Sequence, residues 1–127
     1  MSELRTVLYV EDDPDIQAVA QLALEVVGGL AVVMASSGSE AVTKAAAEVP
    51  DLVLLDVMMP GMDGPTTLLA LRELEGMASV PVIFVTAKVQ AAEVQQYVEL
   101  GAIGVIAKPF DPMTLAEQAR VMWAAAS

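Results

Sequence analysis

Residues 52–61 read Leu52-Val53-Leu54-Leu55-Asp56-Val57-Met58-Met59-Pro60-Gly61. The apolar run Leu52 to Leu55 has no alternation between a wet and a dry face, so it predicts a strand covered on both sides, as in a parallel sheet between two layers of helices. Asp56 closes that run, and Pro60-Gly61 marks a turn beyond it. An ionisable group at the end of a buried strand is costly without partners. Two other apolar runs end the same way: residues 6–10 lead into Glu11 and Asp12, and residues 103–107 lead into Lys108. The simplest account is that these strand ends build one site.

Five strand candidates are spaced along the chain at residues 5–10, 30–35, 51–55, 80–86 and 103–107, and helix-period segments alternate with them. In the first such segment Ile16, Val19, Ala20, Ala23, Leu24 and Val27 share one helical face. Asp13 is its predicted N-cap, Pro14 its first residue, and Gly28-Gly29 its stop. Ser37-Gly38-Ser39-Glu40 is a capping box for a second helix that would bury Ala41, Val42, Ala45 and Val49. A third helix is expected from Pro65, a fourth over about residues 90–100, and a fifth after Asp111-Pro112 with Leu115, Ala119, Met122 and Trp123 on one face. Right-handed crossovers then place helices on both faces of a doubly wound, five-stranded parallel sheet, an α/β fold. Such sheets bind ligands at the carboxyl ends of their strands, where Glu11, Asp12, Asp56, Thr86 and Lys108 all fall. This clustering favours the first, third, fourth and fifth strands as neighbours.

The chain has 127 residues, room for a single domain with its core over about residues 5–125. Hydrophobic residues make up 56%, yet every apolar stretch is broken well before the ~20 residues of a spanning helix. No membrane association is expected. Residues 1–5 lack the pattern of a secretory signal and the chain has no cysteine, so the expected location is cytoplasmic. Seventeen acidic against six basic residues give a net charge of -11, which repels phosphate backbones and argues against direct nucleic-acid binding. The absence of histidine excludes Ser-His-Asp and Cys-His catalysis and the usual zinc sites, leaving carboxylates, hydroxyls and lysines.

Four motifs, taken in order, carry a family resemblance: Val7-Leu8-Tyr9-Val10-Glu11-Asp12-Asp13, Leu54 through Gly64, Pro81-Val82-Ile83-Phe84-Val85-Thr86-Ala87, and Gly101-Ala102 through Lys108-Pro109-Phe110. Over essentially its whole length the chain resembles the receiver domain of bacterial response regulators. The resemblance implies a flavodoxin-like sheet of order 2-1-3-4-5. It also implies a signalling switch that takes a phosphoryl group from a phosphohistidine, on a sensor histidine kinase or a histidine phosphotransfer protein, onto Asp56. Physically, a carboxylate can attack phosphorus to give an acyl phosphate, and the rest of the task is positioning and charge neutralisation. A phosphoryl group beside three carboxylates requires a divalent cation, and Mg2+, with Mn2+ as a substitute, suits oxygen ligands. By resemblance Asp12 and Asp56 ligate it directly, Glu11 acts through water, and the backbone carbonyl of Met58 contributes. Asp13 is left with its capping role.

The resemblance further implies that Lys108 meets the phosphoryl oxygens, that its bond to Pro109 is cis, and that Thr86 moves toward the phosphoryl group as the switch. Val105 stands where the family usually carries an aromatic switch residue. Met58 and Lys88, each two residues beyond a site residue, offer no carboxylate or amide to orient a hydrolytic water, so a long-lived phosphoryl group is expected. The fourth helix, fifth strand and fifth helix would form the face for a downstream protein or a homodimer, with Val94 and Val98 partly exposed on it. The protein would not be a metabolic enzyme and would catalyse only its own phosphorylation and dephosphorylation. Two alternatives use a similar fold. An aspartate-dependent small-molecule phosphatase or phosphotransferase would need a cap, for which there is no insertion. A flavodoxin-like flavin-binding module would need a phosphate-cradling loop where Glu11-Asp12-Asp13-Pro14 stands.

Overall fold

The computed structural model describes residues 3–126; Met1, Ser2 and Ser127, and with them part of the N-terminal segment read above for a signal, lie outside the described residues. Five strands, β1 (Thr6–Val10), β2 (Ala31–Ala35), β3 (Leu52–Asp56), β4 (Val82–Thr86) and β5 (Gly104–Ala107), form one sheet. All pairings are parallel, and the order is β2-β1-β3-β4-β5. The 2-1-3-4-5 expectation holds. Five helices accompany it: α1 (Pro14–Leu22), α2 (Gly38–Ala47), α3 (Gly64–Arg72), α4 (Ala91–Glu99) and α5 (Leu115–Ala126). No described helix is long and apolar enough to cross a membrane.

Successive side chains of the central strands point to opposite layers, which explains why residues 52–55 are apolar without alternation. Val53, Leu55, Val82 and Phe84 join the core that includes Ala41 and Ala45 of α2, Leu68 and Leu71 of α3 and Tyr97 of α4. Leu52, Leu54, Ile83 and Val85 join the other core, with Ala20 of α1 and Leu115 and Ala119 of α5. Each fully buried Leu, Ile or Phe contributes about 1.5–3 kcal/mol of transfer free energy. The sheet is thereby a rigid platform for whatever its strand ends carry.

Caps follow the sequence closely. Asp13 Oδ1 accepts from the Asp15 N–H at 2.8 Å, and Ser37 Oγ from the Glu40 N–H at 3.1 Å. Glu40 reaches back to the Ser36 N–H (2.9 Å), one residue earlier than a standard capping box. The third helix begins at Gly64, with Asp63 as its cap. The fifth starts at Leu115, three residues after Pro112, because Asp111 first closes a turn with the Met113 N–H.

Two expectations for buried residues fail. After Leu22 the first helix widens into a π-helical turn, Ala23–Val27, closed by the Gly28 N–H to Ala23 O bond of 3.1 Å. A π turn adds a residue per turn, so the 3.6-residue face rotates within it and leaves Val27 47% exposed, while Ala20, Ala23 and Leu24 are buried; Val19, in the regular helix before the turn, is 42% exposed and lines a surface recess with Ile16 and Phe110. Val49 is also exposed, because α2 ends at Ala47 and Glu48 is already extended. Gly28 is required where the π turn meets α5: an added Cβ would lie 2.5 Å from that of Ala116.

Candidate functional site

Parallel strands of similar length bring their carboxyl ends to one edge. Register sets Val10 beside Leu55 and Asp56 beside Val85, so Glu11, Asp12, Asp56 and Thr86 meet there. Carboxylate oxygens of Glu11, Asp12 and Asp56 lie within 4.8 Å of one another. Glu11 and Asp56 are buried, at 1% and 5% exposure, whereas Asp12 faces solvent. Lys108 arrives from the end of β5, where its N–H donates to Thr86 O at 2.9 Å, and its bond to Pro109 is cis, as the resemblance implies.

Lys108 Nζ lies 2.6 Å from Glu11 Oε1 and 3.2 Å from Asp56 Oδ1. It therefore bridges two buried acids, a role for Glu11 that the sequence did not reveal. The other Glu11 oxygen accepts the Asp13 N–H at 3.1 Å. Gln17, also unforeseen, donates from Nε2 to Glu11 O (2.5 Å) and Ser36 Oγ (3.1 Å), tying the end of β1 to the loop after β2. Asp56 Oδ1 also accepts the Met58 N–H at 3.3 Å, which brings the Met58 backbone to the site.

Burial pushes the Glu11 carboxyl up to about 6 against the lowering by Lys108 and the Asp13 N–H, with Asp56 adding to the rise. Burial lowers the Lys108 ammonium, but Glu11 and Asp56 outweigh it, so its pKa is raised overall. Beneath the acids, the Tyr9 hydroxyl is buried without a hydrogen-bond partner; burial, Glu11 and Asp56 all push its pKa upward. The acids are thus held by one cation and have one nearby charge too many for a dry site. Oxygen-only donors, closely spaced and excess in negative charge, fit a hard metal ion.

A cavity of about 210 Å³ opens over Asp56 between Met58, Thr86, Ala87, Lys88 and Lys108. Met58 is 65% exposed at its rim. Thr86 is buried and its hydroxyl accepts the Lys88 N–H at 3.1 Å, leaving its own proton free to be donated. Val105 packs against the core containing Phe84. The aromatic contact near the switch lies elsewhere: Tyr97 of α4 stacks at 5.2 Å, tilted 55°, on Phe84, two residues before Thr86. Gly64 allows α3 to begin hard against β3, since a Cβ there would lie 2.6 Å from Asp56 O.

Every site residue read from the sequence therefore lies at this one edge, except Val105, which sits one strand pairing further out beside Phe84. Known proteins match the arrangement. The family model described as the response regulator receiver domain matches residues 7–120. The transcriptional regulatory protein CseB of Streptomyces coelicolor is 37% identical over 122 residues, 96% of this chain and 50% of that protein. The alkaline phosphatase synthesis transcriptional regulatory protein PhoP of Bacillus subtilis is 39% identical over 108 residues, 85% of this chain and 44% of its own. This chain spans about half the length of these relatives. The chemotaxis protein CheY4 of Vibrio cholerae superposes with a TM-score of 0.87 at 29% identity, covering 94% of this chain and 98% of that one. Sheet order, acidic strand ends and these matches agree: the chain belongs to the response regulator receiver domain family.

Proposed function

We propose that this chain, acting as one receiver unit in the cytoplasm, is a phosphorylation-driven switch whose acceptor is Asp56. The observation that carries this reading is a buried carboxylate oriented by Lys108 and the Met58 N–H at the floor of an open cavity. An Asp56 oxygen attacks the phosphorus of a phosphohistidine on a sensor histidine kinase or phosphotransfer protein. The O–P bond forms, the N–P bond breaks, and the imidazole nitrogen keeps the electron pair and takes a proton. An apolar recess of about 390 Å³ beside Lys108, lined by Ile16, Val19, Ala87 and Phe110, offers a docking place next to the acceptor.

Glu11, Asp12 and Asp56, with the Met58 carbonyl, would hold Mg2+, which when bound neutralises charge on the carboxylates and the transferring group. Lys108 balances the phosphoryl oxygens from the opposite side. Thr86 donates its hydroxyl proton to a phosphoryl oxygen, and the added charge of about -1.5 to -2 draws it inward. Phe84 and Tyr97 carry that movement to α4, replacing the aromatic ring absent at Val105. Incubation with acetyl phosphate and Mg2+ should add one phosphoryl group to the intact mass; no gain from acetyl phosphate or from a phosphorylated kinase overturns the reading.

Two further results are expected. Met58 and Lys88 flank the cavity without an amide or carboxylate to aim water. Met58→Asn should therefore shorten the phosphoryl half-life by about tenfold or more; an unchanged half-life removes Met58 as the brake. The second concerns pH. The folded pKa of Glu11, about 6, lies above its ordinary 4.5, so its contribution to stability is fully present below 4.5 and is lost as pH rises through 6. Mg2+ competes with that proton. The rise in melting temperature on adding Mg2+ should thus be larger at about pH 7.5 than at about pH 5; an equal rise at both contradicts it.

A further inference from the structure

β2 ends the sheet and pairs on one side only, with β1. The Ala31 N–H donates to Arg5 O at 2.9 Å, and Ala35 O accepts the Glu11 N–H at 3.0 Å. Alternate residues of a parallel strand turn their backbone groups to the same neighbour, so residues 31, 33 and 35 face β1 while Val32 and Met34 face the open side. An open edge is a template for another strand. From Gly29 to Ser37 this one carries neither a charged residue nor a proline, in a chain of net charge -11. Ala31 and Val33 on it are exposed.

Two side chains of α2 reach back over that edge. Lys44 Nζ donates to the outward Met34 carbonyl at 2.5 Å, and Glu40 Oε1 accepts the Ser36 N–H, just beyond the strand, at 2.9 Å. Lys44 and Glu40 also pair with each other at 3.3 Å. At the other end, the Leu30 N–H is taken by Leu24 O of the π turn at 2.9 Å. The Val32 N–H and C=O and the Met34 N–H stay on the open side. A neighbouring strand would run about 4.8 Å from β2, and the Lys44 ammonium stands in that track. A half-exposed helix ion pair contributes little stability, so its placement over the strand edge is the feature that calls for a role.

We propose that Lys44 and Glu40 guard a self-pairing surface, and that without the guard two copies of this chain join β2 to β2, antiparallel about a two-fold axis. The open groups define the occupant. About an axis at Val32, its N–H and C=O exchange both bonds with the same groups of the second copy, and each Met34 N–H meets the other's Leu30 C=O. An uncharged strand is also where two copies of so acidic a chain meet with least repulsion. Neither Asp56 nor phosphorylation enters this pairing.

The test compares the whole chain with Lys44→Met, free of phosphodonor and Mg2+, by sedimentation and by amide hydrogen exchange at each residue. Methionine keeps the helix propensity and most of the stem while removing the ammonium. Wild type should sediment as one chain, with the Val32 and Met34 amides exchanging fast. Lys44→Met should dimerise at least about tenfold more tightly, the worth of one or two hydrogen bonds no longer obstructed, and should slow exchange of the Val32 and Met34 amides. Val32→Pro, tolerated on an edge strand, should abolish that dimer when added to Lys44→Met. Lys88→Met changes the net charge equally and should behave as wild type. Equal association of Lys88→Met and Lys44→Met, a Lys44→Met chain no more associated than wild type, or a dimer whose Val32 and Met34 amides still exchange fast overturns the proposal. So does a wild type already paired at Val32.

Discussion

Lys108→Met is expected to lower the stability of the metal-free protein by about 3 kcal/mol near neutral pH. Methionine keeps most of the aliphatic stem while removing the ammonium that bridges Glu11 at 2.6 Å and Asp56 at 3.2 Å. Two buried carboxylates then face each other without a cation, and the least costly response is protonation of Glu11, already held near 6. The loss should accordingly shrink toward about pH 5 and be largely restored by Mg2+ at neutral pH. Denaturant unfolding at both pH values, with and without Mg2+, provides the check. A loss below about 1 kcal/mol at neutral pH, or one independent of pH, means that the lysine does not hold the acids together.

Asp56→Asn should abolish phosphoryl uptake while changing metal-free stability by less than about 1 kcal/mol. The amide is nearly isosteric but is not a nucleophile toward phosphorus at neutral pH. Its neutrality removes a charge that raises the Glu11 pKa and, equally, a partner of Lys108, so the two effects on stability offset each other. The Glu11 and Lys108 pair remains. Intact mass and thermal unfolding of the same preparation separate loss of chemistry from loss of fold. Uptake equal to wild type in a folded variant places the acceptor elsewhere.

The fold was legible because burial on two faces has a direct signature. Residues 52–55 are apolar without alternation, and Asp56, Glu11, Asp12 and Lys108 stand where such runs stop. Parallel register then brings them together with little further information. Periodicity misled where the backbone left the 3.6-residue repeat. The π turn at Ala23–Val27 turned Val27 outward, and no local residue announces such a turn. Side-chain pairings between distant positions were equally hidden. Lys108 and Glu11 are 97 residues apart, and the engagement of Lys108 by Glu11 depends on a rotamer choice within a crowded pocket. Tyr97 on Phe84 is a contact between α4 and β4 that pattern alone cannot pair, although the loss of an aromatic at Val105 gave a reason to look for one nearby.

Mapping the modified residue tests the phosphoacceptor assignment most directly. Borohydride reduces an acyl phosphate to the alcohol and leaves a free carboxylate intact, so an aspartyl phosphate is recorded as homoserine in the peptide mass. After acetyl phosphate, Mg2+ and borohydride, homoserine should appear at position 56, and omission of either the donor or Mg2+ should erase it. A phosphoryl group that survives reduction on a serine or threonine, or homoserine at Asp12 in place of Asp56, would contradict the account.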